Sequence, residues 1–154
     1  MDVMGLLARL LKRDSPKESN IARALRAVTE KDTPTTRSNL RDALRRQRLI
    51  LPVPVIPDNL ERDASGRLPR NARLEFLSFQ DRGGPKFMAV FTNPEALKKW
   101  KSDIPTWIAV DTPSICRLAA ASDYAELRIN PGNDDYVKLG PNEIGMLADT
   151  EAGQ

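Results

Sequence analysis

Along the first third of the chain, apolar residues return every three or four positions, the spacing of one face of a helix. Val3, Leu7, Leu10 and Leu11 make such a face, with Arg9, Lys12 and Arg13 turned away or near its end, so a helix is predicted over residues 2–13. Asp14-Ser15-Pro16 interrupts it. A second helix is expected from about Glu18 to Thr29, striped by Ile21, Leu25 and Val28, with Ser19 or Asn20 near its start. A third follows the linker Asp32-Thr33-Pro34-Thr35 and runs to about Arg48, turning Leu40, Ala43 and Leu44 inward.

From Leu49 the pattern changes. Residues 49–57, LILPVPVIP, are rich in β-formers but carry three prolines, and proline has no N–H to give to a ladder, so an edge strand is predicted. Residues 58–72 are polar, with a turn at Ser65-Gly66. Leu74 through Phe79 reads as a strand, Asp81-Arg82-Gly83-Gly84-Pro85 as a hairpin turn, and Lys86 to Phe91 as the returning strand. Thr92-Asn93-Pro94-Glu95 is a cap, a proline and an acid at a helix start, and that helix holds Ala96, Leu97 and Trp100. Thr106 to Val110 is a short strand, and Asp111-Thr112-Pro113 caps a helix to about Ala121. Glu126 to Asn130 is a strand ending in Asn130-Pro131-Gly132, a type II turn signature. Tyr136 to Leu139 is the last strand, and Pro141 opens a closing helix through Leu147. The fold class expected is α+β, a helical amino-terminal layer packed on a mixed, mostly antiparallel sheet with short interleaved helices.

The order of these features resembles the SseB amino-terminal domain family, of the enhanced serine sensitivity type. The resemblance rests on Leu49-Ile50-Leu51-Pro52-Val53 after a helical pair and on the Phe76-to-Phe79 strand before a glycine hairpin. It rests most specifically on Ala89-Val90-Phe91-Thr92 running into Pro94-Glu95-Ala96-Leu97-Lys98-Lys99-Trp100. The Ile129-Asn130-Pro131-Gly132 turn and the Leu139-Gly140-Pro141 start of the closing helix also fit. It covers roughly residues 18–149, leaving residues 1–17 as an amino-terminal extension helix and residues 150–154 as a frayed tail. The resemblance implies a fold and a bacterial origin; it carries over no catalytic residues.

Composition narrows the classes. At 154 residues, 40% of them hydrophobic and only 5% aromatic, the chain suits one domain with a mainly aliphatic core. Its charge is near balance, 24 basic against 21 acidic side chains, but residues 1–70 hold 15 basic and 9 acidic, whereas residues 71–154 hold 9 and 12. The front of the chain is basic, a pointer to an anionic partner or a complementary protein face. A single cysteine excludes an internal disulfide framework and a thiolate zinc site, and suits a reducing compartment. The amino terminus lacks the basic start and long apolar run of a signal peptide, and no stretch approaches a membrane span, so a cytoplasmic protein is expected.

There is no histidine, which removes Ser-His and Cys-His nucleophile pairs and imidazole metal ligands together. No phosphate-loop or dinucleotide fingerprint is present, and Asp134 and Asp135 sit where a turn favours aspartate. No cofactor and no metal is expected, and the chain is read as not an enzyme, with carboxylate chemistry the residual catalytic option. Cys116, near a helix start but followed by Leu118, Ala119 and Ala120, is read as core. The sharpest polar feature is Arg37, Arg41, Arg45 and Arg48, whose spacing makes one stripe on a continuous helix, widened by Arg26 and Arg46. Such a stripe is either a solvated outer face or a track for phosphates, although this half of the chain has no aromatic residue for base stacking. The extension helix offers Met1, Val3, Met4, Leu7, Leu10 and Leu11, a strip suited first to intramolecular packing or homo-oligomerisation, and otherwise to a partner groove or a membrane surface. Of the two tryptophans, Trp100 is assigned to the core and Trp107 to a partly exposed position. The leading expectation is therefore a non-enzymatic protein-protein interaction module of unknown partner, using Met4, Leu7, Leu11, Arg37, Arg41, Arg45, Arg48 and Trp107. The alternative is an RNA- or DNA-associated protein using the Arg37–Arg48 stripe.

Overall fold

Each helix begins with a local device written in the sequence. In the computed structural model, which describes residues 19–55, 75–104, 106–122, 124 and 126–149, α1 spans Asn20–Glu30 and is capped by the Ser19 hydroxyl, which accepts from the Ala22 amide. Helix α2, Pro34–Arg45, starts with a reciprocal cap in which Thr33 and Thr36 each accept from the other's backbone N–H. Helices α3 (Pro94–Trp100) and α4 (Thr112–Ala121) are capped by Asn93 and Asp111, and α5 is Pro141–Ala148. Proline stands in the first turn of α2 to α5, where its missing N–H has no intrahelical partner to lose.

The strands are β1 (Arg48–Pro52), β2 (Phe79–Gln80), β3 (Lys86–Val90), β4 (Trp107–Asp111), β5 (Glu126–Ile129) and β6 (Val137–Leu139). One ladder pairs β1 with β4, antiparallel; the other runs β2-β3-β5-β6, parallel only between β3 and β5. Ile50 and Phe91 exchange both backbone hydrogen bonds, at 2.7 and 3.0 Å, and join the two ladders. The α+β class stands as expected.

Side chains alternate across these strands, yet both faces are covered. Leu49, Leu51, Met88, Val90, Leu127 and Ile129 face the main core, closed by Leu25 and Val28 of α1, Leu40 and Leu44 of α2, Ile115 of α4 and Leu147 of α5. Ile50, Phe87, Ala89 and Phe91 face the opposite way and meet Ala96 and Leu97 of α3, with Trp100 packed against them. A helix on each side explains why these strands read as nearly continuous apolar runs.

Three expectations change. The first strand is interior, held by β4 on one side and by the Ile50–Phe91 bridge on the other. Its prolines are compatible because Pro52 is the last ladder residue, where its carbonyl accepts from the Leu77 amide and no N–H is required. The strand placed over Leu74–Phe79 shortens to Phe79–Gln80, since β1 and β2 share one edge of β3. The third helix ends at Arg45, with Arg46 as its cap and Arg48 already in β1. The extension helix, with Met4, Leu7 and Leu11, lies outside the described residues, as do the Ser65-Gly66 turn and the tail from Thr150.

Candidate functional site

The arginines expected to form one outward stripe are divided among structural duties. Arg37 donates from Nε and Nη2 to both Asp32 carboxylate oxygens at 2.9 Å, and from Nη1 to the Lys138 carbonyl at 2.8 Å and Glu143 Oε1 at 3.0 Å. Arg41 Nη1 meets Glu143 Oε2 at 3.0 Å, so one α5 carboxylate ties two turns of α2 to the closing helix. The Arg37 hydrogen bond holds the Asp32 carboxyl below its ordinary value. Arg45 pairs with Asp42 at 2.6 Å, and Arg48, in β1, is not on the helix. Arg26 faces Glu30 at 3.7 Å. The stripe is thus neither continuous nor a row of unengaged cations.

Among the open clefts at the helical layer, two bear on the site. The first, about 440 Å³, sits where the parallel pair β3 and β5 ends, beside α1 and α3. Its floor is built on Asn130, wholly buried with φ of 54°, whose Oδ1 accepts from the Thr92 amide at 2.9 Å and whose Nδ2 donates to Thr92 Oγ1 at 3.1 Å. Asn133 Nδ2 donates to the Ala96 and Pro131 carbonyls, and Asn93 Oδ1 accepts from the Ala96 amide. These amides hold the turn and the α3 start in place. Asp134 and Asp135 line the rim with Glu95, Arg26 and Lys99. Among the described residues, no three metal-ligating side chains converge.

The second cleft, about 780 Å³, is the groove between α1 and α2. Ile21, Ala24, Ala27 and Ala43 form its floor, because the α1 stripe and the Ala43 turn of α2 meet there through small side chains. Asn20, Asn39 and Gln47 edge it, and Arg23 and Arg46 stand on either side, both exposed. These two guanidiniums make no ion pair among the described residues, unlike Arg37, Arg41 and Arg45 of the expected stripe. Sequence reasoning gave Arg46 only a supporting role and passed over Arg23. The signal was present, since Arg23 falls outside the Ile21, Leu25, Val28 stripe and has no acid three or four positions away.

The remaining candidates divide cleanly. Cys116 is wholly buried in the main core, and burial pushes its thiol up to about 12, the opposite of an activated nucleophile. Asp111 and Ser114 are buried together at the start of α4, where the Asp111 carboxylate accepts from the Ser114 amide and hydroxyl as a cap. Trp100 lies against Phe79, Phe87 and Phe91, as a core residue, though partly accessible. Trp107 begins β4 at 36% exposure, away from the helical groove, so the structure does not bring it together with the arginines.

Comparison with known proteins agrees with this architecture. Neither a curated protein nor a solved structure matches the chain. The family described as SseB protein N-terminal domain matches residues 21–146, from the first α1 core residue to Met146 in α5. The match takes in the bridged sheet and nearly all of the helical pair and the closing helix, and the chain belongs to the SseB N-terminal domain family.

Proposed function

We propose that the chain is a non-enzymatic protein-interaction module, acting in the cytoplasm, whose contact surface is the outer face of its amino-terminal helical layer. The observation that carries this reading is the α1–α2 groove. It is open, lined along both helices, floored by aliphatic side chains and edged by amides, the anatomy of a site that accepts a polypeptide segment. Several groups with chemical potential elsewhere are engaged: the Cys116 thiol by burial, Asp111 and Ser114 by the α4 cap, Glu143 by two arginines. The nucleic-acid alternative draws less support from the Arg37–Arg48 series, because Arg37 and Arg41 are engaged by Asp32 and Glu143, and Arg45 by Asp42.

The test is affinity capture of the tagged full chain from its own lysate with nuclease present, comparing the natural sequence with Ala27→Arg and Trp107→Ser. The proposal expects a stoichiometric protein that Ala27→Arg loses and Trp107→Ser keeps. The reverse pattern would place the contact at β4, and capture that nuclease abolishes would establish the nucleic-acid reading.

A further inference from the structure

The groove's charge defines its occupant further. Resting on the reading above, we propose that the groove between α1 and α2 receives an acidic polypeptide segment, clamped between Arg23 and Arg46. Arg23 projects from the first half of α1, and Arg46 caps the end of α2, so the antiparallel pair places one guanidinium on each wall. Both are exposed and neither has an ion-pair partner among the described residues. Among the described residues Asp42 is the one acid on the walls, and its charge is met by Arg45 at 2.6 Å. The wall potential is therefore positive, and opposed charges across a binding surface set partner choice and the rate of encounter.

The remainder of the lining distinguishes an acidic protein from a nucleic acid. Asn20, Asn39 and Gln47 offer both donors and acceptors, which suit a peptide backbone. The floor of Ile21, Ala24, Ala27 and Ala43 suits small or aliphatic side chains, and among the described residues the groove carries no aromatic platform on which a base could stack. A volume of about 780 Å³ is within the range of sites that enclose a short ligand segment. Glutamate or aspartate spaced along one face of the incoming segment would reach both arginines bidentately.

The experiment titrates the full chain, isotopically labelled, with a helical peptide of glutamate, leucine and alanine. The same peptide with lysine for glutamate and an oligodeoxynucleotide of equal charge serve as comparisons. The acidic peptide is expected to move the amide resonances of Ala24, Ala27 and Ala43, the lysine peptide to leave them, and added salt to weaken the effect. Arg23→Gln/Arg46→Gln should weaken binding about tenfold or more, roughly 1.4 kcal/mol, with an unchanged melting temperature showing that the fold is intact. Tighter binding of the oligodeoxynucleotide, absence of any peptide effect, or contacts in the free chain between Leu7 or Leu11 methyls and Ala24 would each overturn the assignment. So would concentration-dependent shifts of the same amides, which mark a second copy as the occupant. If a captured protein partner binds the double glutamine variant undiminished, the interaction-module reading stands and the acidic-segment inference falls.

Discussion

Gly132 shows how much of this fold rests on single positions. It has φ of 77°, in the left-handed region, and a Cβ there would lie 2.8 Å from Trp100 Cδ1 and 3.3 Å from Trp100 Cα. The turn and the α3 tryptophan are thus fitted to each other, and both penalties apply to Gly132→Ala. The expected loss is about 2–3 kcal/mol, read from denaturant unfolding, with a shift in Trp100 emission; an unchanged midpoint would refute the fit. Asn130, two positions earlier, is legible as a turn residue in Asn-Pro-Gly, but its buried bonds to Thr92 are not, because they join positions 38 residues apart. Cys116 gives a second residue-scale prediction. Burial raises its thiol from 9.0 to about 12, so the folded chain keeps a proton that the unfolded chain releases. Its contribution is complete below the unfolded value and is lost as pH climbs from there toward the folded one. Stability should decline over that alkaline window, and Cys116→Ala should show a shallower decline whatever its stability at neutral pH. A thiol reagent should label Cys116 no faster than the chain unfolds.

At the scale of elements, periodicity and capping chemistry account for what could be read in advance. Ile21, Leu25 and Val28 predict the buried side of α1, and Asn93-Pro94 and Asp111-Thr112-Pro113 mark the starts of α3 and α4. Reading failed where tertiary pairing decides. The helical spacing of Arg45 and Arg48 continues past the point where Arg48 enters a ladder with Asp111, and the prolines after Leu51 suggested an edge that the Phe91 bridge fills. The arginine stripe was legible as spacing, but its use was not, since Glu143 lies more than 100 residues from Arg37 and Arg41. That carboxylate links α2 to α5 at 17% side-chain exposure. Glu143→Ala should cost about 1 kcal/mol, measured by thermal unfolding, because the pairs are only partly screened from solvent. The difference from the natural chain should shrink at high salt, and an effect independent of salt would mean that packing, not charge, is what Glu143 supplies.

For the whole molecule, the arrangement separates stability from recognition. The sheet is covered on both faces, by α1, α2, α4 and α5 over the aliphatic core and by α3 over the aromatic one. Among the described residues Arg37 and Arg41 are drawn into ties with α5 and Arg45 into a local pair on α2, while Arg23 and Arg46 stand beside an open groove. None of the described helices is long and apolar enough to cross a membrane. Under the proposed reading, a partner would meet a groove already formed between two capped helices. The most direct measurement is hydrogen exchange on the full chain, free and in complex with its captured protein partner. The account predicts added protection concentrated in residues 20–30 and 34–47, with the sheet and residues 130–135 unchanged. Protection confined to residues 92–99 and 130–135, or to β4 around Trp107, would contradict it and move the binding surface elsewhere on the molecule.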